Sequence, residues 1–157
     1  MESNVDKPAG TVLFICTGNF YRSRFAEAVF NYYADLMGLE WRAFSRGLAP
    51  DMVLGEISPR TRDALLARGI ALGYTSASKA LLTENDLEAA DRVIALKESE
   101  HRLLMRRQFP EWVDRIEYWQ FSDLDYFGPM DLLSRIELVV TDLLDEICRR
   151  QLQRQAC

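Results

Sequence analysis

The most reactive feature of the sequence is a cysteine followed, after five intervening residues, by an arginine. The segment reads Cys16-Thr-Gly-Asn-Phe-Tyr-Arg22-Ser23. A thiolate is a nucleophile, and the planar guanidinium group of arginine matches two oxygens of a phosphate. The segment therefore predicts a site in which Cys16 attacks a phosphoryl group that Arg22 holds.

The same segment suits the binding of an anion through the backbone. Backbone N–H groups of a tight loop can converge on one point, and the start of a helix adds further unpaired N–H groups. Gly18 lets the backbone approach closely, and Asn19 tolerates the left-handed region. Ser23 can donate a hydrogen bond to the Cys16 sulfur and stabilise the thiolate. We expect the whole loop to bind phosphate: Thr17, Gly18, Asn19, Phe20, Tyr21, Arg22 and Ser23.

A structural interpretation of the segment is also open. Free cysteines are often buried and unreactive, so Cys16 alone would fit a buried strand residue followed by an ordinary turn at Gly18-Asn19. The cysteine-to-arginine spacing is likewise weak evidence for a phosphate site when taken by itself. The joint occurrence of strand, cysteine, Gly-Asn, Arg-Ser and helix is more specific and favours chemistry.

Apolar patterning around the loop predicts strands that alternate with helices. Short apolar runs indicate four strands, at Thr11–Cys16, Trp41–Ser45, Asp91–Leu96 and Arg115–Phe121. Amphipathic spacing and capping residues indicate helices from Arg22 up to a stop at Gly38, at Ser58–Arg68, after Thr83, at Glu98–Gln108 and at Asp131–Gln151.

This alternation predicts an α/β fold. We expect a single three-layer domain with a four-stranded parallel sheet flanked by helices, joined by right-handed crossovers. The phosphate loop follows the first strand, and ligands of such sheets bind beyond the carboxyl ends of the strands. Residues 1–10 are expected to form a flexible leader, 11–151 the domain, and 152–157 a C-terminal tail.

Composition narrows the classes of function. A net charge of −5 with 48% hydrophobic residues predicts a folded domain without general attraction to nucleic acid or to anionic membranes. The polar, acidic start does not resemble a signal peptide, and no apolar run is long enough to span a membrane. We expect a cytoplasmic protein that is a monomer or a weak dimer.

The cysteines and the histidine argue against metal chemistry. Cys16, Cys148 and Cys157 are widely spaced and odd in number, which disfavours a disulfide framework or a zinc site. The single histidine, His101, excludes a His-rich metal cluster and is expected at the surface, since polar residues surround it. We expect no metal and no cofactor.

Several segments resemble the low-molecular-weight protein tyrosine phosphatases. Val12–Phe30 is similar to the family's opening strand, its C-x-G-N-x-C-R-S loop and its Ala-Glu-Ala helix. The resemblance continues at Ser45–Gly47, Ile57–Arg60 and Ala64–Ile70, and covers about residues 11–150. It implies a two-step phosphatase in which the cysteine carries the phosphoryl group before water removes it.

The family's general acid is an aspartate in an Asp-Pro-aromatic loop. The corresponding segment here, Trp119–Gly128, lacks the proline and contains two aspartates. The resemblance favours Asp123 as the acid, because bacterial members have Trp-x-Phe-Pro-Asp-Pro, and leaves Asp125 as the rival. Tyr126 and Phe127 are expected to flank the substrate, which implies phosphotyrosine of a protein or another small phosphomonoester.

Departures from the family pattern leave alternatives open. Tyr21 replaces the second loop cysteine, and Phe20 replaces the threonine of phosphoarginine-preferring relatives, which argues against that substrate. Thr75–Thr83 lacks the histidine or arginine that supports the loop in many members. The absent Asp-Pro dipeptide keeps a non-catalytic phosphate-binding or phosphoprotein-binding module possible. The related arsenate reductases are disfavoured, because their resolving cysteines are missing.

Overall fold

The computed structural model describes residues 8–122 and 131–156. In that part of the chain four strands form one parallel sheet in the order β2-β1-β3-β4. The strands are β1 (Gly10–Cys16), β2 (Trp41–Gly47), β3 (Arg92–Ala95) and β4 (Glu117–Tyr118). The helices are α1 (Arg22–Met37), α2 (Pro59–Ala67), α3 (Glu84–Ala89), α4 (Glu98–Gln108) and α5 (Leu132–Ala156). The predicted α/β class and parallel sheet are confirmed.

The central strand β1 separates two apolar cores. Val12 and Phe14 point to one face and pack in the core that includes side chains of α1 and α5. Leu13 and Ile15 point to the other face and pack with residues of α3 and α4. All four side chains are fully buried, as expected for a strand covered on both faces. The molecule therefore has the predicted three layers.

Local capping chemistry explains where the helices begin and end. The Ser58 hydroxyl accepts a hydrogen bond from the backbone N–H of Arg60, and Pro59 occupies the first turn of α2. Thr83 and Asp86 form a reciprocal capping box at the start of α3. Gly38 ends α1 in the left-handed conformation, with φ 68°.

Two elements differ from the sequence prediction. Strand β4 covers only Glu117–Tyr118 of the predicted 115–121, although the backbone N–H of Phe121 still bonds to the Leu96 carbonyl (2.9 Å). Helix α5 continues to Ala156, so residues 152–156 are helical where a tail was predicted. No glycine or proline lies in that stretch to end the helix.

Within residues 8–122 and 131–156, no helix combines the length and the apolar run that a membrane crossing requires.

Candidate active site

Strand β1 delivers Cys16 to the carboxyl edge of the sheet, at its centre. Cys16 pairs in register with Gly47 of β2 and is 4% exposed. A Cβ atom at Gly47 would lie 2.8 Å from the Thr17 carbonyl oxygen and 2.9 Å from the Asn19 backbone nitrogen. Only glycine leaves the space for the loop to turn this closely over β2.

The sulfur of Cys16 faces the first turn of α1. Its Sγ atom lies 2.9 Å from the Ser23 hydroxyl oxygen, and both residues are buried. The strand end and the helix start are thereby held together across the loop. A hydroxyl at this distance can stabilise a thiolate.

Asn19 fixes the shape of the loop between them. Its backbone is left-handed, with φ 48°, and its side chain is almost fully buried. The amide nitrogen donates to the hydroxyls of Ser23 (3.0 Å) and Ser45 (2.9 Å), and the amide oxygen accepts from the Ala80 N–H (2.8 Å). Because all three contacts are satisfied, the side chain stabilises a backbone conformation that a residue other than glycine rarely adopts.

Behind the loop lies a buried carboxylate, Glu27 of α1, with 4% exposure. It accepts hydrogen bonds from Ser45 (2.6 Å), Thr75 (2.8 Å) and Ser76 (3.2 Å). Burial raises the pKa of Glu27, against the lowering effect of these hydrogen bonds and of Arg24. Glu27 thus joins β2 and the segment after α2 to α1, and it reaches the loop through Ser45, which accepts from Asn19.

Arg24 is the second buried charge behind the loop, and sequence reasoning gave it no role. Its guanidinium group donates to the Thr75 hydroxyl (2.7 Å), to the Glu56 carbonyl (2.6 Å) and to the Ser76 carbonyl. The segment that lacks the histidine or arginine of relatives is therefore contacted by an arginine from α1. Its only sequence signal is the unusual Arg-Ser-Arg at the helix start.

The first turn of α4 contacts the loop from the other side. The Thr17 hydroxyl donates a hydrogen bond to the Glu100 carboxylate. Burial alone would raise the pKa of Glu100, but hydrogen bonds from Thr17 and Lys97 and the field of His101 together lower it. Sequence reasoning missed this contact because it joins residues far apart in the chain.

His101 is fully buried, so the predicted surface position is wrong. It lies one helical turn before the buried Met105, on the inward face of α4. Its Nδ1 atom accepts a hydrogen bond from the Lys97 N–H (3.0 Å), and Nε2 has no hydrogen-bond partner among the described residues. Burial lowers the pKa of His101 to about 4, so the ring is neutral at pH 7.

Arg22 begins α1 beside the residue that replaces the second loop cysteine. Its guanidinium carbon lies 5.3 Å from the centre of the Tyr21 ring, and that of Arg60 lies 5.1 Å from the same ring. The Tyr21 carbonyl accepts from the Thr61 hydroxyl (2.9 Å) and the Phe20 carbonyl from the Ser58 N–H (2.8 Å). The start of α2 therefore anchors this side of the loop.

The residues before α2 cover the loop from outside. A Cβ atom added at Gly18 would lie 3.0 Å from a methyl carbon of Val53, and one at Gly55 would lie 3.5 Å from the Phe20 ring. Phe20 is half-buried in this position. The loop entrance therefore has an apolar wall on this side.

Four predicted site residues lie outside the described residues: Asp123, Asp125, Tyr126 and Phe127. The described chain reaches Ser122 beside the carboxyl end of β3, where the Phe121 N–H bonds to the Leu96 carbonyl. The structure therefore brings together the predicted loop residues from Cys16 to Ser23. The role of Asp123 as general acid stays a prediction. No group of three or more histidine, cysteine, aspartate or glutamate side chains suited to a metal ion occurs in the described ranges.

Comparison with known proteins matches this geometry to a family. The sequence model "Low molecular weight phosphotyrosine protein phosphatase" matches residues 11–153. A protein-arginine-phosphatase of Bacillus subtilis (strain 168) is 33% identical over 150 residues, covering 92% of this chain and 95% of that protein. An arsenate reductase of Bacillus cereus is 29% identical over 113 residues, covering 72% of this chain and 75% of the reductase.

A solved structure agrees. The low molecular weight protein tyrosine phosphatase from T. tengcongensis superposes with a TM-score of 0.69 at 29% identity, covering 90% of this chain and 99% of that one. Fold, loop and sequence thus lead to one assignment. The protein belongs to the low molecular weight phosphotyrosine protein phosphatase family, a family of cysteine-based phosphatases.

Proposed function

We propose that the protein hydrolyses phosphomonoesters, with protein phosphotyrosine as the preferred substrate, through a phosphocysteine on Cys16. The observation that carries the proposal is the 2.9 Å contact between the Cys16 sulfur and the Ser23 hydroxyl, inside a loop that ends at Arg22. A thiol within hydrogen-bond distance of a hydroxyl, next to a helix N-terminus, has the surroundings of a reactive cysteine. Membership of a phosphatase family gives the substrate class as phosphorylated proteins.

In the first step the Cys16 thiolate attacks phosphorus in line with the leaving oxygen. The S–P bond forms as the P–O bond to the substrate breaks, and the Asp123 carboxyl group donates its proton to the leaving oxygen. The loop N–H groups and the Arg22 guanidinium hold the phosphoryl oxygens throughout.

In the second step water attacks the phosphocysteine. The Asp123 carboxylate accepts a proton from the water as the new P–O bond forms. The S–P bond breaks, inorganic phosphate leaves and Cys16 returns as a thiolate. Ser23 stabilises the sulfur both as nucleophile and as leaving group, so one hydrogen bond assists both steps.

The proposed preference for phosphotyrosine rests on the side chains that line the approach to the phosphate loop. Phe20 presents an apolar ring there, where a threonine would offer a hydroxyl to a guanidinium group. An aryl substrate gains from contact with apolar side chains, whereas a charged phosphoguanidinium group gains from hydrogen-bond acceptors.

Phosphoarginine is the second candidate substrate. The supporting observation is the 33% identity to a protein named for arginine phosphatase activity, over 92% of this chain. Both substrates would use the same cysteine and the same loop.

Arsenate reduction is less well supported, despite relatives with that name. It would need a second cysteine near Cys16. A cavity at the amino ends of the strands, opposite the site, is lined by Ala9, Trp41 and Ile147. Cys148 follows Ile147 in α5 and therefore lies toward that end of the sheet, away from Cys16. A non-catalytic phosphate-binding module remains the outcome if no turnover is found.

The test compares p-nitrophenyl phosphate, a phosphotyrosine peptide and a phosphoarginine peptide as substrates. Wild type and the matched control Cys148→Ser should hydrolyse phosphotyrosine with the higher kcat/KM, and Cys16→Ser should be inactive while still binding vanadate. A higher kcat/KM with the phosphoarginine peptide would make phosphoarginine the preferred substrate in place of phosphotyrosine. Turnover that survives Cys16→Ser would overturn the mechanism, and binding without turnover in wild type would support the non-catalytic module.

A further inference from the structure

The second arginine of Arg22-Ser23-Arg24 lies behind the phosphate loop, away from solvent. Arg24 is 1% exposed and is the largest fully buried residue in the described part of the chain. Arginine is almost never fully buried unless its charge and its donors are satisfied. A buried arginine next to a phosphate-binding loop therefore needs an explanation.

The Arg24 guanidinium group joins three segments that surround the loop. Nε donates to the Thr75 hydroxyl (2.7 Å), and Nη2 donates to the Ser76 carbonyl. Nη1 donates to the Glu56 carbonyl (2.6 Å) and, more weakly, to the carbonyl of Asn19 (3.4 Å). Asn19 is the loop residue with the left-handed backbone, so the Arg24 guanidinium group contacts the backbone that shapes the site.

A neighbouring carboxylate balances the charge. The Thr75 hydroxyl accepts from Arg24 and donates to Glu27 (2.8 Å), so the two charged groups share one bridging side chain. Burial lowers the pKa of Arg24, whereas the negative charges of Glu27, Glu56 and Cys16 act to raise it. Coulomb attraction is mutual, so a group that stabilises the Arg24 cation is itself stabilised as an anion.

We propose that Arg24 is a positioning residue of this phosphatase, which holds the loop backbone at Asn19 and favours the thiolate form of Cys16 from behind. The inference rests on the proposed function, because it assigns a role in preparing the nucleophile for attack. Arg24 contacts no substrate in this role. It complements Arg22, to which the proposed function gives the phosphoryl group itself.

A purely structural role makes a different prediction. If Arg24 only ties segments together, breaking the Arg24–Glu27 pair from either side damages the loop in the same way. If the charge of Arg24 also acts on Cys16, the two halves of the pair have opposite effects, because one is a cation and the other an anion.

The experiment measures the pH at which iodoacetamide alkylation of Cys16 reaches half its maximal rate. We use wild type, Arg24→Gln, Arg24→Lys and Glu27→Gln, with exposed Arg62→Gln on α2 as the matched control. Arg24→Gln should raise this midpoint by about one pH unit. Arg24→Lys and Arg62→Gln should leave it within about 0.3 of wild type, and Glu27→Gln should lower it.

A midpoint unchanged in Arg24→Gln would overturn the proposal, and so would upward shifts in both Arg24→Gln and Glu27→Gln. Circular dichroism checks that each variant folds. If Arg24→Gln does not fold, Arg24→Lys and Glu27→Gln carry the test: a midpoint near wild type in the first with a lower midpoint in the second supports the proposal, and an upward shift in either, or no change in Glu27→Gln, refutes it. Alkylation needs no turnover, so an inactive wild type with this pattern of midpoints would count against the proposed function alone.

Discussion

The Ser23 hydroxyl lies 2.9 Å from the Cys16 sulfur and 3.0 Å from the Asn19 amide nitrogen, which donates to it. The Ala80 N–H donates to the other end of the same amide, which fixes its orientation. A serine hydroxyl has a single proton, and its oxygen already accepts from Asn19. The proton therefore stays available to the sulfur, and because a thiolate has no proton to give, Ser23 is the donor whenever Cys16 is ionised.

Ser23→Ala should slow both chemical steps, with the larger effect on the second. A hydrogen bond to a charged group contributes about 1.5–3 kcal/mol, equivalent to roughly a 10–100-fold change in rate. Hydrolysis of the phosphocysteine expels the thiolate, so loss of the donor should make this intermediate accumulate. Rapid mixing with p-nitrophenyl phosphate should then show a burst of nitrophenol.

The control for this variant is Ser99→Ala, since Ser99 is exposed at the start of α4 and bonds to Gln120. It should keep wild-type turnover. Unchanged kcat in Ser23→Ala would show that the hydroxyl does not act on the sulfur during catalysis.

Phe20→Thr should move substrate preference toward phosphoarginine. The change removes an aromatic ring from the loop entrance and adds a hydroxyl that can accept from a guanidinium group. We expect the ratio of kcat/KM for phosphoarginine over phosphotyrosine peptides to rise at least about tenfold. Phe20→Leu, which keeps an apolar side chain, should leave the ratio low. Equal ratios in Phe20→Thr and wild type would remove Phe20 as a determinant of specificity.

His101 should make the protein less stable at mildly acidic pH. Its folded pKa of about 4 lies below the ordinary value of 6.5, so the unfolded chain takes up the proton first. The stability associated with the neutral ring is complete above pH 6.5 and is lost as pH falls toward 4. Between pH 7 and pH 5 the loss from this group is on the order of 2 kcal/mol.

The measurement is the free energy of unfolding in urea at the two pH values, for wild type and His101→Asn. Asparagine does not titrate, and its side-chain oxygen can replace Nδ1 as acceptor for the Lys97 N–H. Glu100, Arg22 and Lys97, whose charges act on His101, stay in both proteins. The stability lost on acidification should therefore be smaller in His101→Asn, and equal losses would contradict the buried neutral ring.

Much of the fold follows from local sequence. The capping residues Ser58 and Thr83 act within three residues of their positions, so the starts of α2 and α3 are predictable from single segments. Cys16 could be placed at the carboxyl edge because it ends an apolar run in an alternating pattern. These signals need no knowledge of distant contacts.

The support of the loop is different, because it is built from distant residues. Arg24 reaches a hydroxyl 51 positions away at Thr75, and Thr17 reaches a carboxylate 83 positions away at Glu100. His101 was misassigned because its acidic neighbours suggest a surface, whereas helix geometry turns it inward beside Met105. Such contacts depend on how the elements pack, and no short pattern encodes them.

Peroxide should inactivate the enzyme without forming an intramolecular disulfide. The thiolate of Cys16 oxidises to a sulfenic acid, and a disulfide would need a second thiol in reach. Tyr21 replaces the second loop cysteine, and Cys148 lies toward the opposite end of the sheet. The intact mass should show oxygen addition at Cys16, and Cys148→Ser should be inactivated at the wild-type rate. A loss of two hydrogens in wild type would indicate a disulfide and contradict this arrangement.

Asp123→Asn should lower the rate most for substrates with a basic leaving oxygen. Protonation of that oxygen matters little for an activated ester such as p-nitrophenyl phosphate and greatly for phosphotyrosine. General acid catalysis contributes about 10²–10⁴-fold, which sets the expected loss with phosphotyrosine. The measurement is kcat/KM across aryl phosphates of graded leaving-group pKa. Asp125→Asn is the matched comparison, since it removes a carboxylate two positions along the same segment. A steep dependence that appears only in Asp125→Asn would transfer the role to Asp125, and no change in either variant would leave both aspartates without a part in proton transfer.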